Sequence, residues 1–154
     1  MPKIDPDLKR AMDGSLKAYS KGDPSFFEYV DEKVRVYGPN STEPVTGKKA
    51  FKASFGTSLS EHKRQVKVVA QDVQVSGDQA ILSQTLQITA NRISSHVRQT
   101  VVWAKVDAHW KMLHIHNAFV GKPLSIGPAP TTPAGLRVLN DRIATAAAVV
   151  GVAQ

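Results

Sequence analysis

Between Arg64 and Phe119 apolar residues recur at every second position, and that period constrains the fold more than any other feature of the chain. Successive side chains of a strand point to opposite sides, so alternation marks strands with one buried face. The segment Ala80–Ala90 places Ala80, Leu82, Gln84, Leu86 and Ile88 on one side, and Ile81, Ser83, Thr85, Gln87 and Thr89 on the other. Upstream, Val66 and Val68 share one parity while Val73 and Val75 share the other, which predicts a strand interrupted by a bulge. Ser76-Gly77-Asp78-Gln79 is a hairpin signal. Turns over Asn91–Ser95 and Asp107–His109 lead into strands over Val97–Val106 and Trp110–Asn117. Four hairpin-linked antiparallel strands follow.

Helices precede them. Asp5-Pro6 is a capping residue followed by proline at the first helical position, and Leu8, Met12, Leu16 and Tyr19 then make one apolar stripe ending at Gly22. Asp23-Pro24 opens a short helix with Phe26, Phe27 and Val30. Val34, Val36 and Tyr37 form a strand, and a further helix after Thr46-Gly47 presents Phe51, Phe55 and Leu59. The fold class is α+β: a curled, cone-shaped antiparallel sheet packed on N-terminal helices, with a hollow at its open end as the default binding site. Residues 1–121 form this domain. Residues 122–135, with Pro123, Pro128, Pro130 and Pro133, read as a Pro/Gly-rich linker. Residues 136–154 read as an extra C-terminal amphipathic helix with the stripe Leu136, Leu139, Ile143, Ala147 and Val150, serving as a pocket lid or dimer clasp.

The absence of cysteine excludes a disulfide framework, a thiolate metal site and a cysteine nucleophile, and no apolar run is long enough to span a membrane. The start, Met1-Pro2-Lys3-Ile4-Asp5-Pro6, lacks a secretory signal's apolar core, so the expected location is cytoplasmic. The net charge of +7 comes from scattered residues, with the densest cluster, His62-Lys63-Arg64 plus Lys67, read as a solvated basic surface. Nucleic-acid and membrane partners are therefore not expected, and neither is a cofactor.

His114 and His116 stand two apart on one strand and so share a face. They are expected at the mouth of the hollow as hydrogen-bonding or acid/base groups rather than as metal ligands, since no third ligand is evident. An inward Arg98 would offer a guanidinium fork to a carboxylate or bicarbonate, although a surface arginine at a strand end reads slightly better. Gln84 interrupts an apolar face and needs a partner, either ligand or neighbour. Tyr37 and Tyr19 could each offer a phenol. The expected ligand contacts are thus Tyr37, Gln84, Arg98, His114 and His116, with His114, His116 and Tyr37 as catalytic candidates. Glu28, Asp31 and Glu32 are a solvated helix end or a base, and Trp103 and Trp110 are expected to anchor a subunit contact on the outer sheet face.

Three strings add a resemblance: Val36-Tyr37-Gly38 followed by Val45-Thr46-Gly47-Lys48-Lys49-Ala50-Phe51; Val75-Ser76-Gly77-Asp78-Gln79-Ala80; and Trp110-Lys111-Met112-Leu113-His114-Ile115-His116-Asn117. In order and spacing the chain from 6 to 121 resembles the nuclear transport factor 2-like superfamily. Its nearest groups are the SnoaL-like proteins and the calcium/calmodulin-dependent kinase II association domain. The resemblance implies a cone fold that hosts isomerases, cyclases, dehydratases and non-catalytic oligomerisation modules. Isomerase-like members use a carboxylate base and a tyrosine oxyanion hole, whereas Ala80–Ala90 holds no Asp or Glu. Kinase association domains share the Trp-x-x-x-His-x-His spacing but continue with Arg-Ser-Gly where this chain has Asn117-Ala118-Phe119. Metal-independent carbonic anhydrases of the iota class are similar as well. The expected function is binding of a small, anionic or polar ligand by a homodimer; an isomerase, cyclase or carbonic anhydrase-type enzyme and a pure oligomerisation module are the alternatives.

Overall fold

The computed structural model describes residues 3–39 and 41–120. The linker over 122–135 and the helix over 136–154 expected from sequence lie outside the described residues.

Helix α1 (Pro6–Lys21) begins as its sequence dictates: the Asp5 carboxylate accepts from the Asp7 N–H at 2.8 Å, and Pro6 needs no partner there. It stops at Gly22, whose φ of 68° lets the Gly22 and Asp23 N–H groups donate to Tyr19 and Ala18 carbonyls. A single 3₁₀ segment, Pro24–Tyr29, then leads into β1 (Val30–Tyr37), and the short β2 (Val45–Thr46) precedes α2 (Lys48–Glu61). The remaining strands are β3 (Gln65–Ser76), β4 (Gln79–Ala90), β5 (Ile93–Val106) and β6 (His109–Phe119).

The six strands lie in the order β2-β1-β6-β5-β4-β3 in one curled, unclosed sheet, antiparallel throughout except for the parallel pair β1–β6. The turns are tighter than the sequence suggests. Asn91-Arg92 and Asp107-Ala108 all have positive φ, the requirement of a two-residue hairpin turn, so Ser94, Ser95 and His109 belong to strands. Among the described residues, helices cover one face of the sheet. Leu8, Met12 and Tyr19 of α1, Phe51, Phe55 and Leu59 of α2, and Phe26 and Phe27 between them pack on Leu82, Leu86, Ile88, Val97, Val101, Met112 and Ile115.

Two bulges decide what this inner face displays. Pairing of β3 with β4 slips between Val68 and Ala70, leaving Val69 as the extra residue. Val66 and Val68 precede the slip and Val73 follows it on the same side, matching the parity switch in the sequence. Pairing of β5 with β6 slips between Val102↔His114 and Trp103↔Met112, leaving Leu113 extra. Trp110 and Met112 are buried before that slip, and Ile115 and Asn117 after it. One inserted residue moves every later side chain to the opposite face.

Candidate functional site

The hollow between sheet and helices is a cavity of about 190 Å³. An apolar cavity of about 150 Å³ takes benzene, so this one has room for a single substituted ring. Phe26, Phe51, Phe55, Leu82, Leu86 and Trp103 supply much of its apolar wall. The aromatic part is held by mutual packing: Phe26 meets Phe51 and Phe55 edge-on at 6.2 and 6.1 Å, while Phe51 and Phe55 stack at 5.6 Å.

Across the sheet side of this wall runs a row of four carboxamides, one from each of β3 to β6. Gln71 Nε2 donates to Gln84 Oε1 at 3.0 Å, Gln84 Nε2 to Gln99 Oε1 at 2.7 Å, and Gln99 Nε2 to Asn117 Oδ1 at 3.0 Å. All four line the cavity. Gln84↔Gln99 and Gln99↔Asn117 are directly paired positions, and Gln71↔Gln84 completes the register. The row depends on the bulges, since without Val69 and Leu113 as extra residues Gln71 and Asn117 would point outward. It begins at exposed Gln71 on the sheet edge and ends at Asn117, 3% exposed.

The titratable groups among the described lining residues are Asp13 and Tyr19. Asp13 is exposed at the rim and ion-paired with Lys9 at 2.6 Å. Tyr19 is buried, and burial pushes its phenol up to about 12, so it stays protonated at neutral pH despite the nearby Arg64. Arg64 is itself 4% exposed, which corrects its reading as part of a solvated basic surface. Its Nη1 donates to the carbonyls of Tyr19, Leu59 and His62, and its Nη2 to that of Ser58, while the guanidinium lies 4.7 Å from the Tyr19 ring centroid. A cation so placed satisfies carbonyls at the C-terminal ends of both helices.

Of the five ligand contacts expected from sequence, the structure brings only Gln84 to the cavity. Tyr37, Arg98, His114 and His116 are on the outer sheet face, away from the helices, because Val36, Val97, Ile115 and Asn117 take the inward positions beside them. The histidines do meet the tyrosine there: Tyr37 stacks on His114 at 5.2 Å and meets His116 edge-on at 6.2 Å. Arg98 lies in an open trough with Ser83, Thr85 and Thr100. The catalytic candidates therefore cluster, but outside the hollow. Among the described residues no group of three His, Asp or Glu side chains is arranged to hold a metal.

The tryptophans are corrected too. Both point inward, Trp103 1% and Trp110 4% exposed, so neither anchors an outer-face contact. Trp110 Nε1 donates to Asp5 Oδ2 at 3.3 Å, pinning β6 to the cap of α1. That bond and the stronger one from the Asp7 N–H hold the Asp5 carboxyl below its usual range. Trp103 lines the cavity, and its Nε1–H has no acceptor among the described residues. Sequence reading missed Gln71, Gln99 and Asn117; the signal available was a polar amide on each strand near the level of Gln84.

No curated protein matches the sequence. Among solved structures, a CaMKII hub from S. rosetta is 22% identical, with 78% of this chain and 99% of that one covered and a TM-score of 0.62. A protein provisionally named a ketosteroid isomerase, from Shewanella frigidimarina, is 16% identical over 75% and 97% of the two chains, with a TM-score of 0.66. A provisionally named dehydratase of the NTF2-like family, from Streptomyces avermitilis, is 18% identical over 75% and 94%, with a TM-score of 0.67. At such identities the likeness is one of fold. The family model of the SnoaL-like domain matches residues 8–120, from α1 to the end of β6, and the chain belongs to that NTF2-like family.

Proposed function

We propose that residues 1–121 form a small-molecule-binding domain whose ligand occupies the cavity between α1, α2 and the inner sheet face. The observation that carries this is the cavity of about 190 Å³, walled by aromatic and aliphatic side chains and crossed by one row of amides. Apolar walls with a few placed polar groups are the general pattern of ligand sites. The lining favours an uncharged ligand over the anionic one expected from sequence. Neither Lys nor Arg lines the cavity among the described residues, and Arg98 faces the other way.

Benzene titrated into ¹⁵N,¹³C-labelled protein tests the reading. Methyl resonances of Leu82, Leu86 and Val101 should shift, and Val68→Trp at the partly exposed rim should weaken the effect. Shifts confined to outer-face residues such as Val102 and Ala104 would refute it. An enzymatic version would run on Asp13 with the Tyr19 phenol as donor rather than on the histidines, so Asp13→Asn would abolish turnover and spare binding.

A second reading, a dimer through the outer face, is supported by Ile81 and Val106, which are 42% and 41% exposed there, and by the likeness to a hub protein. Light scattering should give twice the 16.7 kDa chain mass, falling to a monomer in Ile81→Lys. A monomeric wild type would rule it out.

A further inference from the structure

We propose that the ligand carries a neutral planar amide edge, as in a lactam or cyclic ureide, which the amide row reads. The inference rests on the cavity-binding reading and names its ligand class. A primary amide has two N–H donors and an oxygen with two lone pairs. In the row, Gln84 and Gln99 each spend one N–H and one lone pair on their neighbours. Each keeps one donor and one acceptor. At the buried end, Asn117 accepts from Gln99 and spends neither of its own N–H donors on the row. The surplus is therefore mixed, with donors and acceptors adjacent along one line.

A ligand that satisfies such a line must present a donor beside an acceptor. An apolar ring leaves both unsatisfied in a site where Gln84 is 8% exposed and Asn117 3%. A carboxylate answers only the donors, sets its charge against the amide oxygens, and finds no cation among the described lining residues. A lactam edge answers both kinds at once. Its ring fits a volume of about 190 Å³ between Leu82 and Leu86 on the sheet and Phe26, Phe51 and Phe55 opposite. The direction of the row, every donor aimed toward Asn117, gives the amide dipoles a common sense and so favours one orientation of the ligand.

Full-length protein is titrated with 2-pyridone, phenol, benzoate and benzene, all close to one ring in size. Binding is read from the side-chain NH₂ resonances of Gln84, Gln99 and Asn117 and from the cavity methyls. The expected result is 2-pyridone binding roughly ten-fold or more tighter than benzene and benzoate, with all three NH₂ pairs shifting. In Gln99→Leu that preference should vanish while benzene binding persists. Benzene entering with 2-pyridone no tighter overturns the amide inference and leaves the cavity reading standing; phenol or benzoate binding tightest does the same. No probe shifting any cavity methyl overturns both. The wild-type ranking alone decides the matter if Gln99→Leu does not fold.

Discussion

The two faces of the same four strands both carry polar side chains, the outer face many more than the inner, and treat them differently. On the inner face, Gln84, Gln99 and Asn117 are fixed in a hydrogen-bonded row among apolar neighbours. On the outer face, His116 and Arg98 stand in solvent, and the contacts of His114 with Tyr37 are between rings at the surface. The inner row is where an unmet hydrogen bond costs free energy, so that face can discriminate between ligands. The outer groups lose little if a partner is absent, because water replaces it. The residue types that look most chemical in the sequence thus occupy the face where geometry constrains them least.

The sharpest way to break the contrast is to exchange two neighbours beyond the slip, in the double variant Ile115→His with His116→Ile. The register puts position 115 inside and position 116 outside, so the exchange buries an imidazole and expels an aliphatic side chain. The expected loss is on the order of 5 kcal/mol, seen as the absence of a cooperative unfolding transition; a normally folded double variant would refute the assigned bulge. The two arginines give the next comparison. Arg64→Met strands four carbonyls at the helix ends and should cost roughly 3 kcal/mol in chemical denaturation, whereas Arg98→Met should stay within about 0.5 kcal/mol.

Alkaline pH distinguishes the faces differently. The Tyr19 phenol is raised by burial to about 12, so the unfolded chain ionises first, near pH 10. Stability is then fully present below pH 10 and falls as pH rises from 10 to 12, by up to roughly 2 kcal/mol. Tyr19→Phe should remove this contribution to the alkaline slope, and an unchanged slope would place the titration elsewhere. Gln99→Leu, which leaves the Gln84 donor and the Asn117 acceptor without their partner, should cost about 1.5 kcal/mol. His116→Gln on the neighbouring strand should change stability by less than about 0.5 kcal/mol, and equal effects for these two would erase the distinction between faces.

Much of the fold is legible in the sequence. The alternation in Ala80–Ala90 depends only on the pleat of a single strand, and it assigns Leu82, Gln84, Leu86 and Ile88 correctly to one buried side. The bulge in β3 showed as a parity switch because valines flank it on both sides. The caps at Asp5 and Gly22 are local chemistry between neighbouring backbone groups, so they too were readable. The resemblance carried by the three strings led to the right family. The bulge at Leu113 was not readable, because the residues after it, His114, Ile115, His116 and Asn117, alternate whether or not one residue is skipped.

By itself, then, the sequence determined α1, α2, β1 and β3 to β6, their hairpin order and the curled α+β architecture, all of which follow from local periodicity and turn chemistry. Only the tertiary structure decided which polar groups line the hollow. That choice rests on where β6 slips against β5, and on four amides, 13 to 18 residues apart along the chain at each hydrogen bond, meeting in one row. Pairing across strands is a non-local event, and a single extra residue in it was enough to exchange a histidine pair for an asparagine at the buried end of the site.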